Sequence, residues 1–301
     1  MNSSVKTNSC EAWFRAIRPR TLGAISCPIL LGSSLALAKE NFSWQWFFMT
    51  WLCSLLLQIL ANVVNDYGDF VRGSDTKERL GPPRALQMGW LSIGVMKTGI
   101  ALIIASIACL GLILVARGGL AIFWLGLVSI GVSIWYTAGP KPLAYLGFSE
   151  IAVLILFGPA PVLGAYFIQT LSWPDEGLIL SLAPAFLSTA LIMTNNLRDI
   201  KEDSLHHKNT IAVRCGERFS RLGIISLVIL SSLSPFLMMI FYDFKWPVLL
   251  SLVALFFPVR MFPMVLQKPI SAQFNLMLAA IGKSLYIFGV LMSFGIIYGA
   301  P

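Results

Sequence analysis

Charge is scarce in this sequence. Only 12% of its 301 residues are charged, against about 25% in a soluble globular domain, which excludes a water-soluble fold. Metal-binding side chains of the soft kind are few. There are two histidines, His206 and His207, adjacent in one loop, and the five cysteines (Cys10, Cys27, Cys53, Cys109 and Cys215) form no CxxC pair or His-flanked spacing. That excludes a zinc site and a disulfide framework. A long polar stretch is missing too, so residues 1–301 read as a single membrane domain, with residues 1–20 as an N-terminal cytoplasmic and interfacial segment. No small-residue cleavage pattern accompanies the first apolar run, which is therefore expected to stay as a membrane helix and not to leave as a signal peptide.

What the chain has in abundance is apolar length. Hydrophobic residues make up 57% of it, and runs of roughly 20 residues, the length that crosses a hydrocarbon core of about 30 Å, recur throughout. About nine spans are expected, near residues 21–38, 44–66, 92–116, 118–136, 149–170, 177–197, 221–241, 246–265 and 277–299. The fold class is all-α and polytopic, a bundle in the lipid bilayer.

Lys6, Arg15, Arg18, Arg20, Arg72, Lys77, Arg79, Arg84, Lys141, Arg198, Lys201, Lys208, Arg214, Arg218, Arg221 and Lys268 fall in the N-terminal arm, in alternate loops or at their edges. The opposite loops hold only Lys39, Arg117 and Lys245. By the positive-inside rule the N-terminus is cytoplasmic and, with an odd number of spans, the C-terminus lies outside. The net charge of +8 then has a membrane explanation and calls for no nucleic acid. Residues 11–20, EAWFRAIRPR, mix aromatic and basic side chains and read as a segment lying on the inner leaflet, broken from the first span at Pro19. Lys283, inside the last apolar run, reads as a side chain that snorkels to the membrane face.

Two long inner loops, 67–91 and 198–220, each begin with an amide and carboxylate cluster. The first runs Asn62, Asn65, Asp66, Asp69 and on to Asp75; the second runs Asn195, Asn196, Asp199 and Asp203. Residues at i, i+4 and i+7 share a helix face, so Asn62, Asp66 and Asp69 point one way, as do Asn196, Asp199 and Asp203. Each column of hard oxygen atoms suits Mg²⁺, which takes one or two carboxylates plus substrate phosphates. Isolated Asp residues at helix ends are usually solvated or capping groups. Two matching columns are costly, because several close carboxylates repel one another, and intramembrane ionisable groups generally mark a functional site.

Around these columns sit Arg72, Lys77, Arg79, Arg84, Lys141, Arg198 and Lys208; some can contact diphosphate oxygens, Arg84 and Lys208 foremost, while the positive-inside rule or attraction to anionic lipid is explanation enough for most of them. A third motif, Tyr136 to Glu150, is broken by Gly139, Pro140, Pro142 and Gly147 and reads as a shaped inner loop. Tyr136 and Tyr145 can present π faces to an allylic cation, and Glu150 can contact an acceptor. Alternatively the tyrosines are interfacial belt residues and Glu150 complements a helix dipole.

Taken together, Asn65-Asp-Tyr-Gly-Asp69, Gly73-Ser-Asp75, Gly81-Pro-Pro-Arg84, Tyr136-Thr-Ala-Gly-Pro140 and Asn195-Asn-Leu-Arg-Asp199 resemble the UbiA superfamily of intramembrane prenyltransferases. Within it they look like the branch that prenylates 1,4-dihydroxy-2-naphthoate in menaquinone synthesis. The likeness runs from about Arg18 to the last span. It implies helices around a central cavity in the inner (cytoplasmic) membrane, an active site facing the cytoplasm, and polyprenyl diphosphate as donor with Mg²⁺ as cofactor. Asn62, Asp66, Asp69 and Asp75 match the first Mg²⁺-diphosphate motif, Asp199 and Asp203 the second, and Arg84 and Lys208 the family's basic stretches.

In two places the chain departs from the family's usual glycine, with Ser149 before Glu150 and His207 before Lys208. A relative using another acceptor, such as 4-hydroxybenzoate, is the nearest alternative. A secondary transporter would place its polar helix breaks near the bilayer midplane, whereas these clusters fall at inner helix ends. A phosphatidyl-alcohol transferase lacks support, since its Asp-Gly start with a following Ala-Arg pair is missing.

Overall fold

The computed structural model describes residues 5–74 and 80–301, with the side chain of Arg20 also left aside. Thirteen α-helices occur in that part: α1 Cys10–Ile17, α2 Pro19–Ala38, α3 Trp44–Val71, α4 Ile93–Trp135, α5 Ser149–Leu156, α6 Pro159–Thr170, α7 Gly177–Arg198, α8 Ile200–Leu205, α9 Ile211–Leu230, α10 Leu233–Tyr242, α11 Phe256–Val259, α12 Phe262–Gln267 and α13 Phe274–Gly299. A 3₁₀ segment, Trp246–Leu255, precedes α11. No strand occurs among the described residues.

Eight apolar helical stretches are long enough to cross a membrane, where the sequence led us to expect nine spans. The difference lies in α4. Its 43 residues would extend about 65 Å at 1.5 Å per residue, twice a hydrocarbon core. Gly119 resolves this: with φ 64° and ψ −152° it leaves the helical region, a conformation that favours glycine. The two limbs of α4 are therefore separate crossings, and the number expected from sequence returns.

Other boundaries move for local reasons. The expected span at 149–170 is broken after Leu156, at Phe157–Gly158. That at 246–265 is built from the 3₁₀ segment and two short helices, and Pro258 and Pro263 each remove an N–H donor near the junctions between them. The helix expected from residue 221 starts at Ile211 and turns at Gly216. Both inner loops are shorter than expected, since α3 continues to Val71 and α8 occupies part of the second.

The main core lies among α2, α7 and α13, where Leu31, Leu187 and Phe288 are fully buried. A second cluster joins α3, α4 and α6 through Leu60, Ile107 and Ile168. The N-terminal segment holds the short helix α1. Ala12 and Ala16 are buried against Val63 and Met96 while Phe14 faces outward, and Arg18, in the left-handed region just before Pro19, ends it. Large apolar side chains such as Leu102, Leu120, Trp124 and Phe241 are exposed on the outside of the bundle, which suits a surface solvated by lipid.

Candidate active site

The C-terminal end of α3 carries one acidic column and the end of α7 with the following α8 carries the other, and all six residues of those columns are buried. They do not behave alike. Asp66 accepts hydrogen bonds from the backbone N–H of Ala85 (2.8 Å) and of Leu86 (3.3 Å), so its carboxylate anchors the 80–91 loop. Asn62 donates from Nδ2 to the carbonyl of Ile17 and to Thr21 Oγ1, and its Oδ1 accepts from Gln58. It braces the junction of α1 and α2 and is not brought to the other carboxylates. Asp69 is the charged centre of the first motif. Its Oδ2 lies 2.8 Å from an Arg84 guanidinium nitrogen and 3.8 Å from Lys208 Nζ, while Tyr145 donates to its Oδ1 at 3.3 Å. Arg84 also donates to the carbonyl of Asn65 at 2.8 Å.

In the second motif the Asp199 carboxylate is gripped by Arg198, whose Nε and terminal nitrogen lie 2.7 and 2.6 Å from its two oxygens. Asp203 faces Lys208, 3.5 Å away. One ammonium therefore touches Asp69 of α3 and Asp203 of α8, and the two patches converge. Burial pushes the Asp203 carboxyl up to about 7, with Asp199 and Asp69 adding to the rise and Lys208 opposing it. Burial alone would lower Lys208, but Asp69 and Asp203 outweigh it and hold the ammonium above its ordinary value.

The third motif closes the cluster from the side. Its loop lies against α3 so tightly that a Cβ at Gly68 would sit 2.6 Å from the carbonyl oxygen of Thr137. Arg72 donates to the Gly139 carbonyl and stacks over Tyr145, whose hydroxyl also meets Ser74. Glu150 is buried deeper. Its Oε1 accepts from Asn196 Nδ2 (2.9 Å) and its Oε2 from Ser149 Oγ (2.7 Å), and Ser149 Oγ itself accepts from Asn196 Nδ2 at 3.3 Å. Lys141 is exposed, and no contact of its side chain with the cluster is seen. Asp75, with Lys77 and Arg79, lies outside the described residues.

Behind this polar end is an apolar cavity of about 350 Å³ between α3, α4 and α6, lined by Leu57, Ile107, Leu114, Gly126, Phe157 and Ile168. It reaches Gln58, Ala61 and Ser133, one helical turn from Asn62, Asn65 and Tyr136. Leu112, Phe123 and Leu127, which also line it, are exposed at the outer surface.

The donor set suits Mg²⁺ shared with a ligand. Asp203 Oδ2 and Asn65 Oδ1 are buried hard oxygens with no hydrogen-bond partner among the described residues. Such atoms are expensive to leave unpaired. Among the described residues no three His, Cys, Asp or Glu side chains form a metal cage of their own, which is the normal condition for Mg²⁺, since phosphate oxygens and water complete its shell.

Residues 25–281 match the UbiA prenyltransferase family. The chain belongs to that family. Similar curated UbiA relatives are the 1,4-dihydroxy-2-naphthoate octaprenyltransferases of Haemophilus influenzae, 37% identical over 68% of this chain and 70% of that one, and of Escherichia coli, 36% identical over 69% of each. Among solved structures, a UbiA homolog from Archaeoglobus fulgidus bound to DMAPP and Mg²⁺ has the same fold, with a TM-score of 0.64 at 14% identity over 95% of this chain and 99% of that one.

Within this UbiA chain the two departures from the family's usual glycine now have a local account. His207 adopts φ 55°, the left-handed region in which glycine is unstrained and other residues are not. Ser149 uses its hydroxyl on Glu150 and Asn196. Sequence reasoning missed Ser74, Ser149 and Asn275 as members of the site. Asn275 stands in the last helix, far along the chain from either motif, and nothing in its own neighbourhood marks it.

Proposed function

We propose that this protein transfers a polyprenyl group from its diphosphate to 1,4-dihydroxy-2-naphthoate with loss of CO₂, giving demethylmenaquinol. The observation that carries the reading is the Lys208 ammonium lying between Asp69 and Asp203, which joins two distant motifs into one anion and cation site, on the same helix, α3, whose preceding turns line an apolar cavity. Asp69, Asp203 and Asn65, with Asp199 adjacent, would hold Mg²⁺. When bound, Mg²⁺ neutralises the charge that grows on a leaving diphosphate.

The chain's own groups supply the rest. Arg84 and Lys208 offer charge-assisted hydrogen bonds to phosphate oxygens. The cavity holds the first isoprene units and keeps water from the allylic carbon, and a longer tail leaves past Leu112 and Phe123 into lipid. The buried Ser149–Glu150–Asn196 network, with Tyr136 one helical turn from the cavity-lining Ser133, can accept from an acceptor hydroxyl and orient the ring. The allylic C–O bond breaks with its electron pair going to diphosphate. A ring pair forms the new C–C bond, and the C–CO₂ bond returns a pair to the ring, so no ring proton is lost.

The N-terminus and the active site face the cytoplasm in this reading, and the membrane is the inner one. Mass spectrometry of the product made from 1,4-dihydroxy-2-naphthoate and mixed prenyl diphosphates is expected to show decarboxylated prenyl quinol. Turnover of 4-hydroxybenzoate in its place would move the chain to another branch of the family. The cavity makes a separate prediction. Gly126 lines it, and a Cβ there meets nothing within 4 Å. Gly126→Leu is therefore expected to lower the rate with an octaprenyl donor by about tenfold, a loss of roughly 1.4 kcal/mol, and to spare a dimethylallyl donor, as measured by competing the two.

A further inference from the structure

Among the described residues Arg198 has the largest fully buried side chain, 1% exposed. A guanidinium in such a place needs an acceptor for each face of its fork, because a buried charge that loses a partner is strongly destabilising. Three of its acceptor atoms come from its own helix end, the two Asp199 oxygens and Asn195 Oδ1 at 2.9 Å. The fourth comes from elsewhere. Asn275, in the first turn of α13, accepts from the remaining terminal nitrogen at 2.6 Å and donates from Nδ2 to the carbonyl of Leu80 at 3.2 Å. One amide thus uses its acceptor on one motif and its donor on another segment, which leaves no ambiguity about its orientation.

Leu80 opens the 80–91 loop. That loop is stitched to α3 by Asp66 through the N–H groups of Ala85 and Leu86, and it delivers Arg84 to Asp69. Asn275 therefore closes a path that runs from Asp199 through Arg198 and Leu80 to Arg84 and Asp69. Lys208 joins the same two halves by charge, at 3.5 and 3.8 Å, distances that set no geometry. Directional hydrogen bonds do set it.

Resting on the reading above, we propose that Asn275 is a positioning residue. It fixes Arg198 on Asp199 and fixes the Arg84 loop relative to α7, and so sets how tightly the Mg²⁺-diphosphate head of the donor is held. Ser149, Glu150 and Asn196, assigned above to the acceptor, hydrogen-bond one another and not Asn275 or Leu80, so the effect is expected on donor and metal.

The test uses full-length protein in detergent, with Asn275→Leu, which removes both hydrogen bonds at similar volume, and Asn275→Gln, which keeps both functional groups. Binding of farnesyl thiolodiphosphate is titrated at several Mg²⁺ concentrations, a readout that depends on no acceptor. Steady-state transfer and thermal stability are measured beside it. Asn275→Leu is expected to weaken analogue binding, and to raise the Mg²⁺ needed for half-saturation, by about tenfold, the effect of losing one charge-assisted hydrogen bond. The KM for the donor should rise with it, while kcat and the KM for acceptor change by less than about threefold. Asn275→Gln should recover part of the loss.

Unchanged donor and Mg²⁺ binding in Asn275→Leu would overturn the proposal, whether or not its thermal stability falls. If Asn275→Leu does not fold, Asn275→Ala, which removes the same two hydrogen bonds without added bulk, takes its place: analogue binding and Mg²⁺ dependence identical to the parent overturn the proposal equally, and a weaker response supports it. Failure of the parent to prenylate the naphthoate would instead sink the acceptor assignment and leave the binding comparison intact.

Discussion

Replacing Asp69 with Asn is expected to lower kcat/KM for the prenyl diphosphate by about 10² to 10³ at saturating Mg²⁺. The side chain is 1% exposed, and its carboxylate faces Arg84 at 2.8 Å, Lys208 at 3.8 Å and the Tyr145 hydroxyl at 3.3 Å. Asparagine keeps the shape and one oxygen but removes the charge. Taking one partner from a buried ion pair costs about 3–5 kcal/mol, and each 1.4 kcal/mol is tenfold. Part of that loss falls on folding, which sets the lower figure. Radiolabelled prenyl transfer in membranes, normalised to inserted protein by immunoblot, measures it. Activity within threefold of the parent would remove Asp69 from the site.

Lys208→Met is expected to raise the KM for prenyl diphosphate about 10- to 100-fold without raising the Mg²⁺ requirement. Methionine keeps the aliphatic stem of a side chain that is 12% exposed and deletes only the ammonium, which is shared between Asp69 and Asp203. A phosphate oxygen then loses a charge-assisted donor, typically about 1.5–3 kcal/mol. The two carboxylates lose their common counter-charge and compete more strongly for a divalent cation, so the response to Mg²⁺ moves opposite to that to diphosphate. Lys208→Arg should recover part of the diphosphate affinity. A parallel weakening of Mg²⁺ and diphosphate dependence would mean that the ammonium only supports the loop.

The division of labour within each motif was the part hidden from sequence reasoning. Asn62, Asp66 and Asp69 share a face by spacing, and all three are indeed buried. Spacing treats them as equals, whereas Asp66 is occupied by two backbone N–H groups of the 80–91 loop and Asn62 by Ile17 and Thr21. Asp199 and Asp203 differ in the same way, the first saturated by Arg198 and the second with an orphaned oxygen. The helix break at Gly119 was legible as a short gap between two apolar runs. The 3₁₀ segment at Trp246–Leu255 was not, because hydropathy reports burial in lipid and is blind to how the helix is wound.

Composition and periodicity alone determined that this chain is an all-helical membrane protein with two acidic columns at helix ends, since apolar run length and the 3.6-residue turn are local properties of the backbone. Only the tertiary structure decided that Asp69 and Asp203 meet at one lysine, and that the last helix reaches back through Asn275 to join the loops. Those contacts depend on how α3, α7, α8 and α13 pack, and side-chain partners brought together from opposite ends of a polypeptide leave no periodic trace within it.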